Sequence, residues 1–67
     1  MYYLDVVEQF DVIQDVDVNH RGYEVVVHGM KNGKYHKYRG KFTSTQIGNS
    51  FAEKVKDFVG IEKTRTG

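Results

Sequence analysis

The segment from Lys34 to Phe42 combines basic and aromatic side chains in a pattern that can bind nucleic acid. If it is a β-strand, its odd-numbered side chains share one face, because side chains alternate along a strand. That face carries Tyr35, Lys37, Arg39 and Lys41. Lysine and arginine neutralise phosphates, and a tyrosine ring stacks on a base. The segment therefore predicts a nucleic-acid-binding surface as one candidate function.

An earlier segment carries aspartates at alternating positions and forms the second candidate surface. The aspartates that would share its outer face are Asp11, Asp15 and Asp17. Carboxylates on one strand face lie ~6–7 Å apart, close to the spacing of phosphates along a nucleic acid. Charged side chains on an edge strand also prevent unwanted pairing. Phosphate mimicry and edge protection both remain open for this row.

Metal binding and catalysis find little support in the residue types. The run from Asp15 begins like a calcium loop, but His20 and Val26 stand where that loop needs glycine and glutamate. The histidines fall in a turn and on opposite strand faces, which argues against a zinc site. These are His20, His28 and His36. With no cysteine and no nucleophile beside a base, the sequence predicts a non-enzymatic protein without metal or cofactor.

The strongest local fold signal is Asn32-Gly33, which favours a type I′ turn between two antiparallel strands. That turn pairs Lys31 with Lys34 and continues outward to Tyr23 opposite Phe42. The register gathers apolar side chains on one face: Tyr23, Val25, Val27, Tyr38 and Phe42. The other face is predicted to be solvated: Glu24, Val26, His28, Met30, Tyr35, Lys37, Arg39 and Lys41.

The rest of the chain predicts one more strand and one helix. Apolar side chains alternate over residues 10–18, and a turn at 19–22 would pair Val18 with Tyr23 and Val16 with Val25. Residues 1–8 are predicted as an extra strand or an overhang, with a helical turn as the alternative. Beyond 42, apolar residues recur at helical spacing, and Gly60 predicts the helix end. The predicted elements are strands 10–18, 23–31 and 34–42, helix 45–59 and a frayed tail 62–67.

The predicted fold class is α+β, a three-stranded antiparallel meander with one C-terminal helix on its apolar face, and a fourth strand as the alternative. The predicted core is Phe10, Val12, Val16, Val18, Tyr23, Val25, Val27, Tyr38, Phe42, Ile47, Phe51, Val55 and Phe58. The chain has 67 residues and no disulfide, and so small a core rarely supplies more than about 3–5 kcal/mol. Together with the apolar overhang Tyr2, Leu4 and Val6, this predicts a homodimer.

Charge is divided unevenly along this single small domain. Residues 1–30 carry six acidic side chains and one basic one, whereas residues 31–67 carry nine basic and three acidic ones. The division indicates either an interaction surface or neighbouring strands that neutralise each other. The absence of a long apolar run and of a signal-peptide pattern predicts a cytoplasmic protein that does not contact membranes.

Two families resemble this chain. From Val12 to Phe58 it is similar to the small KTSC domain of bacteria and phages. The similar residues are 16–19, 23–25, 32–35, Tyr38, 48–51 and 55–56. The lysine-threonine-serine-cysteine signature of that domain is absent from this chain. It also resembles the small uracil-DNA glycosylase inhibitor of Bacillus phages, at 5–12, 33–35, 39–40 and 48–49. No functional residue is carried over from either family. Both resemblances imply a phage-like or mobile-element accessory protein.

The sequence as a whole favours a small binding module that docks on another protein, as a phage-type inhibitor or modulator of a host factor does. The residues expected to carry this docking are Asp11, Asp15, Asp17, Tyr35, Lys37 and Arg39. The alternative is a nucleic-acid-binding protein that uses Tyr35, Lys37, Arg39 and Lys41.

Overall fold

The computed structural model describes the backbone of residues 3–66 and the side chains of residues 3–58. Its elements are α1 (Tyr3–Val7), β1 (Val12–Asn19), a short 3₁₀ turn (His20–Gly22), β2 (Glu24–Lys31), β3 (Lys34–Lys41) and α2 (Thr45–Thr66). Within the described residues the strands form one antiparallel sheet in the order β1-β2-β3. The sheet and the C-terminal helix confirm the predicted α+β class.

The β2–β3 register is confirmed residue for residue. Lys31 lies opposite Lys34 at the turn, and Glu24 lies opposite Lys41 at the far end. Asn32 (φ 54°) and Gly33 (φ 77°) both have the left-handed backbone that a type I′ turn requires. The turn chemistry therefore determines how these two strands pair.

The predicted β1–β2 register is wrong by two residues. Val18 pairs with Val25 rather than Tyr23, and Val16 pairs with Val27 rather than Val25. The cause is the turn, which starts one residue later and holds His20 (φ 53°), Arg21 (φ 62°) and Gly22 (φ 119°) in left-handed conformations. A shift of two keeps each side chain on its predicted face, because the side-chain period along a strand is two.

A β-bulge between Ile13 and Asp15 changes which residues of β1 reach the core. The extra residue, Gln14, reverses the alternation before it. Ile13 accordingly packs against the core, whereas Val12, predicted as a core residue, is 56% exposed.

Residues 3–7 form a helix, which is the helical alternative for residues 1–8 and not the extra strand or overhang. Helix α1 buries Val6 completely and packs the Tyr3 ring against Phe58 in a tilted arrangement, with ring centroids 5.7 Å apart. Tyr2 lies outside the described residues. The overhang that motivated the homodimer is thus folded against its own chain from Tyr3 onward, and the dimer remains a prediction.

Helix α2 extends through Thr66, beyond the predicted end at 59 and into the predicted frayed tail. A glycine such as Gly60 costs a helix interior about 1 kcal/mol relative to alanine, which does not by itself end a helix. Near its start α2 contacts the 3₁₀ turn closely: a Cβ on Gly48 would lie 1.6 Å from the carbonyl oxygen of Gly22. The Asn49 amide donates to the carbonyl oxygens of Arg21 at 2.9 Å and Thr45 at 2.8 Å.

The core lies between the sheet and the two helices. Its buried members are Val6, Phe10, Val16, Val25, Val27, Phe51, Ala52 and Val55, with Tyr3, Val7, Ile13, Val18, Tyr38 and Phe42 packed at its border. Two further predicted core residues, Tyr23 and Ile47, are exposed. Helical spacing alone does not show which α2 positions reach the sheet, and Ala52 does so where Ile47 does not.

Candidate functional site

The face of the sheet opposite the helices, here called the outer face, gathers most of the predicted site residues. The β2 residues on it are Glu24, Val26, His28 and Met30, and the β3 residues are Tyr35, Lys37, Arg39 and Lys41. Strand β1 adds Asp15 and Asp17. Val26, expected in solvent, is only 6% exposed. It sits on the central strand between Asp17 and Arg39, and their side chains shield it.

Three side chains from three strands are joined by hydrogen bonds on the outer face. His28 Nε2 lies 2.8 Å from Asp17 Oδ2, and His28 Nδ1 lies 2.6 Å from the Tyr35 hydroxyl. A carboxylate only accepts, so in a neutral imidazole Nε2–H donates to Asp17 and Nδ1 accepts from the Tyr35 O–H. We call this set the Asp17–His28–Tyr35 relay. It restrains an aromatic ring that is 60% exposed.

The relay corrects the expectation that no nucleophile lies beside a base, since hydroxyl, imidazole and carboxylate have the order used for nucleophile activation. The relay nevertheless lies on an exposed surface. The Tyr35 ring lies in open solvent, whereas electrostatic catalysis depends on a site that excludes water. The chemistry that this geometry supports best is therefore the positioning of a tyrosine side chain.

His28 is the site residue that sequence reasoning missed. The hairpin register places it opposite Lys37 and diagonal to Tyr35, so half of the relay was predictable. The contact between His28 and Asp17 depended on the β1–β2 register. The predicted register would have set Asp17 opposite Glu24, and two facing carboxylates are unfavourable. That conflict was the available signal for the true register, in which Asp17 lies opposite Val26.

The basic row of β3 is partly neutralised by its neighbours. Arg39 Nε lies 3.5 Å from Glu24 Oε2, and the Asn19 amide donates to the other oxygen of the same carboxylate at 3.0 Å. In the part of the chain whose side chains are described, no ion pair engages Lys37 or Lys41. The outer face thus presents free lysines on β3 and aspartates on β1.

Asp11 lies apart from the relay and holds the hairpin turn. Its Oδ2 accepts the backbone N–H of Asn32 at 2.7 Å, and its Oδ1 lies 3.4 Å from Lys31 Nζ. The Asn32 N–H, supported by Lys31, holds the pKa of this carboxyl below its usual range. A backbone hydrogen bond to the charged form favours that form. Asp11 therefore stabilises the hairpin turn.

Asp15 also bonds to its own strand. Its Oδ1 accepts the backbone N–H of Val16 at 2.9 Å. This contact takes up a main-chain donor next to the bulge. Of the three predicted aspartates, only Asp17 joins the relay.

Residues 3–58 contain no cluster of three or more histidine, cysteine, aspartate or glutamate side chains that could hold a metal ion. His36 lies on the helix side, where its Nε2 is 3.2 Å from Gln9 Oε1 and its ring stacks near Phe10. His20 lies in the 3₁₀ turn. Among the described helices, none is long and apolar enough to cross a membrane.

A groove lies on the helix side of the sheet. This open groove of about 370 Å³ runs between α1, α2 and the residue after β3, lined by Tyr3, Phe42, Gln46, Ile47, Ser50, Phe51 and Lys54. The Lys54 ammonium lies 5.4 Å from the centre of the Tyr3 ring. None of the sequence-predicted site residues lines this groove.

Comparison with known proteins identifies no relative: no family model, curated protein sequence or solved structure matches this chain.

Proposed function

We propose that this protein is a small non-enzymatic docking module that binds another protein through the outer face of its sheet. The observation that carries the proposal is the relay, which restrains the exposed Tyr35 ring between charged neighbours. Tyrosine and arginine are enriched among the residues that dominate binding energy at protein interfaces. A ring restrained before binding loses less conformational entropy when the partner arrives. Modulation of a host factor, as in phage accessory proteins, is the role that fits such a module.

Affinity capture tests the docking proposal. Immobilised wild-type protein and the Tyr35→Ala variant are incubated with bacterial lysate at several salt concentrations, and retained proteins are identified by mass spectrometry. The matched control is Lys56→Ala, which changes an exposed residue on α2. We expect a protein that wild type and control retain and Tyr35→Ala loses. If wild type and Tyr35→Ala retain the same proteins at every salt concentration, docking through this face is wrong.

Nucleic-acid binding is the second candidate, favoured by the free lysines Lys37 and Lys41 beside Tyr35. Because Glu24 engages Arg39, we count about two neutralised phosphates and expect a salt slope of roughly −2 in log affinity on duplex DNA. Mobility-shift titrations of single- and double-stranded DNA and RNA at low salt measure it. No shift at tens of micromolar protein would remove this candidate.

A further inference from the structure

The two edges of the sheet differ in whether their backbone groups are free. In a two-residue hairpin, Lys31 and Lys34 exchange the hydrogen bonds nearest the turn, and bonded pairs then alternate along the ladder. Odd-numbered residues of β2 therefore bond to β3, and even-numbered ones bond to β1. Two further bonds agree: Phe42 N–H donates to the Tyr23 carbonyl, and Asp11 N–H donates to the Met30 carbonyl.

The edge formed by β1 is partly blocked. Val16 lies opposite Val27, whose backbone bonds to β3, so the Val16 N–H points away from the sheet. That N–H is the donor that Asp15 Oδ1 accepts at 2.9 Å. The adjacent bulge further distorts this edge, as bulges do on natural edge strands.

The edge formed by β3 is open. By the same alternation, the residues that turn their N–H and C=O groups outward are Tyr35, Lys37, Arg39 and Lys41. Within residues 3–66, no hydrogen bond between described groups occupies these outward positions. The same residues carry exposed side chains on the outer face. An incoming strand would thus meet free backbone groups and a basic row together.

Charge decides which strand fits this edge. A second copy pairing through its own β3 would set cations beside cations, and like charges directly opposite each other destabilise a sheet. A second copy pairing through β1 would present an edge whose Val16 N–H is already engaged. An extended segment with carboxylates at alternate positions complements the row instead, because alternate side chains would lie beside Lys37 and Lys41.

We propose that the open edge of β3 binds an extended acidic segment of another protein by strand addition, with its alternating carboxylates beside Lys37 and Lys41. This inference rests on the proposed docking function and names its partner. Backbone pairing supplies the attachment in this mode, and side chains at alternate positions supply the specificity.

A synthetic peptide tests strand addition directly. The probe is an end-capped nonapeptide of alternating glutamate and threonine. Two control peptides carry N-methyl groups on every second residue, one on the glutamates and the other on the threonines, so that a different edge of each cannot pair. We expect the probe to bind with a Kd below about 1 mM. At saturation, the amide hydrogens of Lys37 and Arg39 should exchange at least tenfold more slowly by NMR, whereas those of α2 should not change. The peptide N-methylated on the pairing edge should not bind.

Charge variants complete the test. Lys37→Glu should weaken probe binding at least tenfold, whereas Lys56→Glu, the same charge change on α2, should leave it within twofold. Equal binding of both N-methylated forms, or binding without slower exchange in β3, would show charge attraction only and overturn strand addition. If that happens while affinity capture still depends on Tyr35, the docking function stands without this partner. If capture is independent of Tyr35 but the β3 amides are protected by the probe, strand addition stands and the relay has another role.

Discussion

Replacing Gly48 by alanine separates helix propensity from packing, because the two act in opposite directions at this position. Alanine stabilises a helix interior by about 1 kcal/mol relative to glycine. The added Cβ would lie 1.6 Å from the Gly22 carbonyl oxygen and 2.7 Å from its carbonyl carbon. Restoring ordinary van der Waals separation requires α2 and the 3₁₀ turn to move apart by roughly 1.5–2 Å.

The cost of that movement follows from the contacts it disturbs. The Asn49–Arg21 hydrogen bond spans the same gap at 2.9 Å, and losing such a bond costs about 1 kcal/mol. Overpacking adds about 1–3 kcal/mol. Against the propensity gain, Gly48→Ala should destabilise the fold by about 2 kcal/mol. For a chain of this size, that lowers the Tm by roughly 10 °C.

Thermal and urea unfolding followed by far-UV circular dichroism measure this effect. The control is Ser50→Ala, an exposed position two residues along the same helix, which should be neutral or slightly stabilising. A Gly48→Ala variant that melts cooperatively at or above the wild-type temperature would refute the close approach of α2 to the turn.

Three further outcomes are expected. Because the bulge turns Ile13 inward, Ile13→Ala should lower the free energy of unfolding by about 2 kcal/mol or more, and Val12→Ala by under 1 kcal/mol. If urea unfolding shows similar losses of stability for both variants, the bulge lies elsewhere. Since the folded-state pKa of Asp11 is lowered, its stabilising effect is present above the unfolded pKa of about 3.9 and lost as pH falls through the folded value. The stability gap between wild type and Asp11→Ala should therefore close in acid, and a gap independent of pH would contradict this. His28→Ala should release the Tyr35 side chain with little change in melting, seen by NMR as rotamer-averaged couplings between its Hα and Hβ protons. Couplings that stay unchanged would show that the relay does not restrain this side chain.

The sequence predicted the fold wherever a local signal determined the geometry. Asn32-Gly33 determined the β2–β3 register because both residues adopt positive φ, which a two-residue type I′ turn requires. The turn at His20 and Arg21 gave no such signal, since neither residue type favours the left-handed conformation that both adopt here. The β1 register was consequently missed by two residues.

The candidate site was predictable only in part, for the same reason. Tyr35, Lys37 and Arg39 follow from the hairpin, whereas the place of Asp17 beside His28 depends on the β1 register. The residues around Gln14 do not predict a bulge. The bulge is nevertheless what brings Ile13 to the core. The β1 register and the position of the bulge therefore depend on long-range strand pairing and packing, which the local sequence pattern does not specify.

The hydrogen bond between Val16 N–H and Asp15 gives the sheet a polarity across its strands: an outward donor of β1 is engaged, whereas the outward groups of β3 are available. Stacking copies of this chain edge to edge into a continuous ribbon would therefore break this hydrogen bond at every β1 edge. With a net charge of only +1, overall repulsion between molecules contributes little to keeping them apart. The Asp15 carboxylate, bonded to the neighbouring residue, thus works against polymerisation of a module that keeps its other sheet edge available.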